Sequence, residues 1–460
     1  MVIKQRMIKK QVMVNTLGLA FLLQCLWFSG HTYADEQANL VEIYQQAMAN
    51  DPTLASATST NRAAQELIEQ AKANYRPNVN FTAGTSTSRT DIKFIGASVF
   101  RSAGRASFDS RNYRFEARQP IFRKDSLVQI DQSEVQVSRA DKQLNLTQQD
   151  LILRTTQFYF DVLLAQDNIG LIQAQKAAIQ SQLEQAKVTF EVGTATITDV
   201  NEAQARYDLT LSQEIAANNQ LEIAKRALQA ITGQIPEKLA TVKSDIQVVQ
   251  LSQRMQDWQD VAKQSNLNIQ IQQDSIKIAE QDIDRAKSGH YPTLDAVASY
   301  SNTYSNGSPN GFGSDLDNAT VGLEFQLPLY QGGGVMSRVR QAAYNKQKAV
   351  DDVELAKRTT DLETQRAFLN LSSSIAQVKA LEQALLSSQS QLDSTKLGYE
   401  VGVRTSVDVL NAQQQLFSAK RDLLQSRYNY LVNIIRLKAA TGVVSESDLV
   451  DINQQLVMVK

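Results

Sequence analysis

The sequence predicts an α+β membrane protein that is internally duplicated. Each half holds a long antiparallel helical hairpin preceded by two membrane-crossing strands. Three observations predict this: the chain repeats itself, long proline-free stretches carry a seven-residue apolar stripe, and short alternating segments precede those stretches.

The repeat is explicit. Residues 190–204 read FEVGTATITDVNEAQ and residues 399–413 read YEVGVRTSVDVLNAQ, a constant offset of 209 that still holds at Thr232-Gly233 and Thr441-Gly442. Upstream, Ala71-Lys72…Pro77 recurs as Ala286-Lys287…Pro292 at an offset of 215, and Pro120 recurs as Pro328 at 208. One unit of about two hundred residues has been duplicated, with small length changes between its elements.

The helical parts follow from proline placement. Only seven prolines occur, and none lies between Pro120 and Pro236 or after Pro328. These stretches are rich in Gln, Ala, Leu, Glu, Lys and Ser, which suits long helices. Leu371, Val378, Leu385, Leu392 and Tyr399 fall seven apart; subtracting 209 gives Val162, Ile169, Lys176, Leu183 and Phe190. Such a stripe is a seam for a neighbouring helix. A helix from about Asp125 to Glu191 would be ~100 Å long, too long for a globular core. Each long helix ends at Gly193 or Gly402, where glycine can supply a left-handed cap. A second helix of about four heptads then returns to Thr232-Gly233 or Thr441-Gly442.

Ahead of each hairpin the period becomes two. In residues 320–329, Val321, Leu323, Phe325, Leu327 and Leu329 oppose Thr320, Gly322, Glu324 and Gln326. Tyr113, Phe115 and Ala117 oppose Arg114, Glu116 and Arg118, and Leu294, Ala296, Ala298 and Tyr300 oppose Asp295, Val297, Ser299 and Ser301. Val79-Phe81-Ala83 gives a weaker first strand, and polar loops are expected near 89–110 and 304–318. Strands of about ten residues match a tilted bilayer crossing, one face apolar and the other open to water. Tyr75 and Tyr291 at the starts and Phe122 and Tyr330 at the finishes are the candidate interfacial aromatics. A β-sandwich edge would alternate in the same way, but four strands flanked by such helices have no second sheet to cover them. Four strands cannot close a transmembrane barrel, and open edges cannot face lipid, so several copies must share one cylinder.

Composition narrows the function classes. Residues 1–34 read as an export signal: Lys4, Arg6, Lys9 and Lys10, then an apolar run from Leu17 to Phe28, then a small-residue site at Thr32-Tyr33-Ala34. The single cysteine, Cys25, lies within it, and Gln24 before it argues against lipidation. The mature chain then has no disulfide framework, and of two histidines only His290 remains. No Ser-His-Asp set, metal cluster or phosphate-binding loop can be assembled, so no enzyme and no cofactor are expected. The signal removes four basic and no acidic side chains from a total of 47 basic and 48 acidic, so no basic face for nucleic acid is expected. The mature chain has no apolar run of about twenty residues, so an export signal with a shared β-barrel implies the outer membrane of a Gram-negative cell. A structural coiled-coil surface protein would explain the heptads but not the paired strands.

The duplicated Phe/Tyr-Glu-Val-Gly…Asp-Val motifs resemble the TolC family of outer-membrane efflux proteins. So do the Ala47…Asn50-Asp51-Pro52-Thr53-Leu54 opening, the Tyr-Arg-Pro and Tyr-Pro strand starts and the Asn-Tyr-Leu…Ala-Ala-Thr-Gly ending. The likeness spans essentially the whole mature chain. It implies a homotrimer in outer-membrane lipid, with a shared 12-stranded β-barrel above a trimeric α-barrel of twelve helices. Its partners would be a periplasmic adaptor and an inner-membrane transporter of the RND, ABC or MFS type. The resemblance divides the chain into a signal (1–34), a first repeat (35–233; strands about 77–122, hairpin about 124–231) and an equatorial linker (234–266). A second repeat follows (267–442; strands about 292–330, hairpin about 335–440), then a C-terminal equatorial segment (443–460).

The resemblance also implies a gate where the helix tips converge. Arg404 and Tyr399 would hold the second hairpin to Thr198 and Asp199, and Asp408 would give each subunit one carboxylate in a pore-facing ring. Asn411 stands where relatives have a second aspartate, which should halve the ring's charge. Thr196-x-x-Asp199 and Thr405-x-x-Asp408 also fit a helix-start pattern. Val192, Gly193, Thr194, Val401, Gly402 and Val403 are adaptor-contact candidates, or simply residues that end a helix.

Overall fold

The computed structural model describes residues 38–457 apart from 94–103, 237, 244–245, 247 and 310–311. The export-signal reading of 1–34, with Cys25 and His31, lies outside the described residues. In chain order the elements are α1 (Leu40–Asn50), α2 (Pro52–Ala73), β1 (Asn78–Ile92), β2 (Gly104–Phe122), α3 (Lys124–Glu191), α4 (Ile197–Thr232) and β3 (Thr241–Val242). The second half continues with α5 (Met255–Ser265), α6 (Leu267–Lys287), β4 (Thr293–Ser305), β5 (Ser314–Gln326), α7 (Gly334–Glu400), α8 (Ser406–Thr441), α9 (Glu446–Asn453) and β6 (Leu456–Val457). None of the described helices is long and apolar enough to cross a membrane.

The long helices α3 and α7 run 68 and 67 residues, each about 100 Å. Their return helices α4 and α8 have 36 residues each, about a heptad more than the sequence suggested. Most of the seam packs as its period requires, while Phe190 near the tip is 42% exposed. Val162, Ile169 and Leu183 are buried, as are Leu371, Val378 and Leu392. The one charged member, Lys176, reaches Glu214 of α4 at 2.5 Å, and the Lys stem fills the groove while its head stays paired. The duplication extends to backbone conformation: Gly193 and Gly402 have φ of 77° and 81°, the left-handed cap that a Cβ would strain.

The helices α2 and α6 continue the line of the return helices along the other half of α3 and α7. Asp51 caps α2 by accepting from the Leu54 N–H at 3.0 Å, with Pro52 in the first turn. Asn266 caps α6 in the same way. Arg154 of α3 binds Asp51 at 3.0 Å. Burial pushes the Asp51 carboxyl up, but Arg154 and the backbone N–H groups outweigh it, holding the group below the usual carboxylate range. The Asn-Asp-Pro-Thr opening is therefore a helix junction.

The strands form one antiparallel sheet in the order β1-β2-β4-β5, so the two repeats join through β2 and β4. The strands run longer than predicted, with 15, 19, 13 and 13 residues. Polar residues 85–91 pair with 105–111, because ladder hydrogen bonds compensate weak side-chain alternation. The strands extend into both expected loops, with β1 reaching Ile92, β2 starting at Gly104, β4 reaching Ser305 and β5 starting at Ser314; the loop expectations at 94–103 and 310–311 lie outside the described residues. β5 stops at Gln326, so Leu327 and Leu329 lie outside the strand; Pro328 between them cannot donate to the ladder. Pro120 likewise marks a register shift against β4.

Register places the apolar residues in rows. Phe81 faces Phe115, which faces Tyr300, and Val79, Ala117, Ala298 and Val321 form the next row. These rows are uncovered within the chain: Val321 is 87% exposed and Phe81 58%. The opposite face carries ions, with Asp295 held by Arg118 at 2.8 Å and Arg123 at 2.5 Å.

The main core sits at mid-height, where α1, α9 and the segments around β3 and β6 wrap the long helices. Tyr159, Phe160, Leu163, Leu40, Ile43, Leu228, Tyr428, Leu431 and Ile435 meet there with Leu449 and Ile452. Burying each large apolar side chain stabilises by about 1.5–3 kcal/mol. Two tyrosine hydroxyls of this core are paired: Tyr159 donates to the Ala240 carbonyl at 2.7 Å, and Tyr428 donates to Asp167 at 2.6 Å. Burial raises the Asp167 carboxyl above its ordinary value, with the Tyr428 hydroxyl acting against it.

Replacing Tyr428 with Phe removes that donor and should cost about 1–3 kcal/mol at neutral pH. A raised folded-state value favours the neutral acid, so Asp167 contributes most below its unfolded value and loses that contribution as pH rises through its folded one. The deficit of the variant should therefore shrink on acidification. Thermal unfolding of both proteins in detergent, at neutral and mildly acidic pH, checks this; a pH-independent deficit would place the loss elsewhere.

Candidate functional site at the helix tips

The two tips are built alike from short turns between α3 and α4 and between α7 and α8. Val192, Val401 and Val403 are exposed, the last by 74%, and Gly193, Thr194 and Gly402 stand beside them in open solvent. The Thr194 hydroxyl donates to the Thr189 carbonyl at 3.1 Å, closing the first turn on itself. The three valine side chains thus present apolar surface to water at the tips.

Asp199 and Asp408 sit in full capping boxes. The Asp408 carboxylate accepts from the Thr405 N–H and hydroxyl, both at 2.9 Å, while the Thr405 hydroxyl accepts from the Asp408 N–H at 3.2 Å. Thr196 and Asp199 repeat the arrangement. The Thr405 backbone and hydroxyl donors hold the Asp408 carboxyl below the usual range, with Arg404 adding to the effect. It therefore stays anionic at the positive end of α8.

Among the described residues no hydrogen bond or ion pair joins Arg404 or Tyr399 to Thr198 or Asp199. Thr198 and Arg404 are exposed, while Tyr399 packs on a cluster of Leu392, Val409, Ala412 and Leu416. The Arg404 stem lies over Gly398, where an added Cβ would come within 2.8 Å of its Cγ. Gly398 corresponds to Thr189 in the first repeat, and Arg404 to Ala195. The second tip has thus exchanged a threonine–alanine pair for glycine–arginine.

The hairpins are instead joined through residues that the motif reading missed. Arg206 of α4 donates to the Asn411 side-chain oxygen Oδ1 at 2.7 Å, to Glu202 at 3.1 Å and to Gln414. Gln182 of α3 reaches Ser406 at 3.4 Å, and Leu410 of α8 inserts between Ile179, Leu183 and Ala203. The signal for Arg206 was available, since its repeat counterpart is the neutral Gln415. Of the interfacial aromatics, Tyr75, Phe122, Tyr291 and Tyr330 all border the helix-facing edge of the sheet, and the Tyr75 hydroxyl donates to the Ile121 carbonyl at 2.5 Å. Tyr330 is 88% exposed.

Residues 43–234 and 258–443 match the profile of a family described as outer membrane efflux protein. The chain belongs to that family. The two matched blocks coincide with the two repeats, and membership makes the protein an outer-membrane exit duct that extends into the periplasm. It is 36% identical over 425 residues to outer membrane protein TolC of Vibrio cholerae, covering 92% of this chain and 94% of that one. It is 27% identical over 420 residues to the proteases secretion protein PrtF of Dickeya chrysanthemi, covering 90% of each. The crystal structure of the outer membrane protein VceC from Vibrio cholerae superposes with a TM-score of 0.70 over 88% of this chain and 96% of that one, at 19% identity, which shows a common fold.

If the capping boxes set the tips, Thr196→Ala and Thr405→Ala should each speed amide exchange at the first turn of the return helix while leaving the mid-height core protected. Hydrogen-exchange mass spectrometry reads both regions in one experiment; unchanged exchange at the tips would count against the caps.

Proposed function

We propose that three copies assemble into a passive exit duct, open to the outside through a shared 12-stranded barrel and closed at the periplasmic tips until a partner docks. The observation that carries this is the open four-stranded sheet. Its lipid-facing rows are uncovered and its outer strands β1 and β5 each have one free edge, which only neighbouring copies can satisfy in a bilayer. A trimer of such chains also surrounds a lumen with the charged face of the sheet.

Docking would use the exposed valines and glycines of the tips, which present apolar surface to water. The partner is a periplasmic adaptor coupled to an inner-membrane RND, ABC or MFS transporter. Similarity both to TolC and to a protease secretion protein supports drug efflux and one-step protein secretion as the two export routes. At the gate, the Arg404 guanidinium makes no hydrogen bond or ion pair among the described residues and stands at the tip, where Thr198 and Asp199 of a neighbouring copy can receive it; Tyr399 backs this contact. Asp408 would supply the ring of carboxylates and Asn411 a neutral position beside it.

Two measurements on the reconstituted channel test the gate. Asp408→Ala should reduce divalent-cation block, since one carboxylate per subunit is removed from the constriction; unchanged block would remove Asp408 from it. Arg404→Ser should raise conductance by freeing the closed tips. Gly398→Ala should do the same by unseating Arg404, and wild-type conductance in both variants would refute the link. Crosslinking in cells from a photoreactive residue at Thr194 or Val403 should capture the adaptor.

A further inference from the structure

The strongest unassigned feature is the Arg206 cluster. We propose that Arg206 is the clasp that fastens the two hairpins of each chain at the tip and a residue that sets which ions the entrance admits. This rests on reading the tips as the periplasmic entrance.

The geometry is that of a fork. Nη2 of Arg206 meets the Asn411 oxygen, Nη1 meets the Gln414 oxygen one turn further along α8, and Nε meets Glu202 one turn back on its own helix. A planar guanidinium can hold three acceptors at once, which an ammonium cannot do in fixed directions. Asn411 and Gln414 lie on one face of α8, three residues apart, so a single arginine grips a full turn of it. The Arg206 side chain is 23% exposed, partly shielded from competing water.

Away from the mid-height core, the other joints between the hairpins are weaker. Gln182 to Ser406 is a long neutral hydrogen bond, and Leu410 sits in a small apolar cluster with four members. Arg206 is a charged tie between the return helices α4 and α8. Any movement of the second hairpin relative to the first must stretch it.

The charge argument follows from the repeat. Asn411 is the counterpart of Glu202 at the offset of 209, so Arg206 lies between two equivalent positions, of which one is acidic and one neutral. Arg206 and Glu202 cancel. An acid at 411 would leave the cluster with a net negative charge, and loss of Arg206 would uncover Glu202. The asparagine keeps the clasp intact while keeping the entrance less cation-attracting.

Single-channel recording on the trimeric protein separates the two roles. Arg206→Gln should raise conductance by about twofold and shift the cation-to-anion permeability ratio toward cations by about twofold, the effect of one unit charge at about 10 Å in water. Arg206→Lys keeps the charge but loses the fork, so it should raise conductance with the permeability ratio near wild type. Asn411→Asp should leave conductance at or below wild type, since its carboxylate still accepts from Arg206, while favouring cations. Asn411→Leu and Gln414→Leu guard against misfolding of the arginine variants and should together reproduce the conductance rise. Wild-type conductance and selectivity in Arg206→Gln would overturn the proposal. Failure of the wild-type protein to form any channel would overturn the entrance reading itself.

Discussion

Everything in this molecule depends on hydrogen bonds that one chain cannot complete. A four-stranded sheet has two open edges, and in hydrocarbon each unpaired backbone group costs several kcal/mol because no water can replace the missing partner. The alternating rows of Val79, Phe81, Phe115, Val321 and Phe325 commit the sheet to lipid, and Arg118, Asp295 and Arg123 commit its other face to water. Closure with other copies, as proposed, meets both demands at once. On that reading the lumen is a consequence of edge pairing.

Below the sheet, the same economy of parts recurs. Helices of about 100 Å have no globular core of their own, so the chain concentrates its large buried side chains at one height, around Tyr159, Phe160, Tyr428 and Ile435. From this belt the hairpins extend with narrow seams of one or two residues per turn. Buried side chains are many at the belt and few at the tips, so local opening is expected to cost most at the belt and least at the tips. That gradient suits the proposed duct, whose wall would persist while its end rearranges. The tips are held by capping boxes, two small apolar clusters and a few polar ties.

Much of this was legible in the sequence because the signals were periodic. The offset of 209 located both hairpins, the glycines located their turns, and alternation located the four strands. Strand lengths were not legible, since residues 85–91 carry little apolar alternation and are ordered by pairing with 105–111. The cross-hairpin contacts were not legible either: nothing in Arg206, Asn411 and Gln414 as letters says that they meet. The Thr-x-x-Asp spacing also fits a helix start, which both capping boxes show, and the Thr405 donors hold the Asp408 carboxyl below its usual range. Where the repeats disagree, at Thr189 against Gly398, Ala195 against Arg404 and Arg206 against Gln415, the structure places specialised contacts. Comparing the two halves of a duplicated chain is thus a source of site information in a single sequence.

The claim that edge pairing creates the duct is tested most directly by counting chains in the purified particle. Native mass spectrometry of the detergent-extracted protein should give a single species of three chains, stable until the detergent-bound sheet is unfolded by heat. A monomer that stays folded and soluble after detergent is removed would contradict the account.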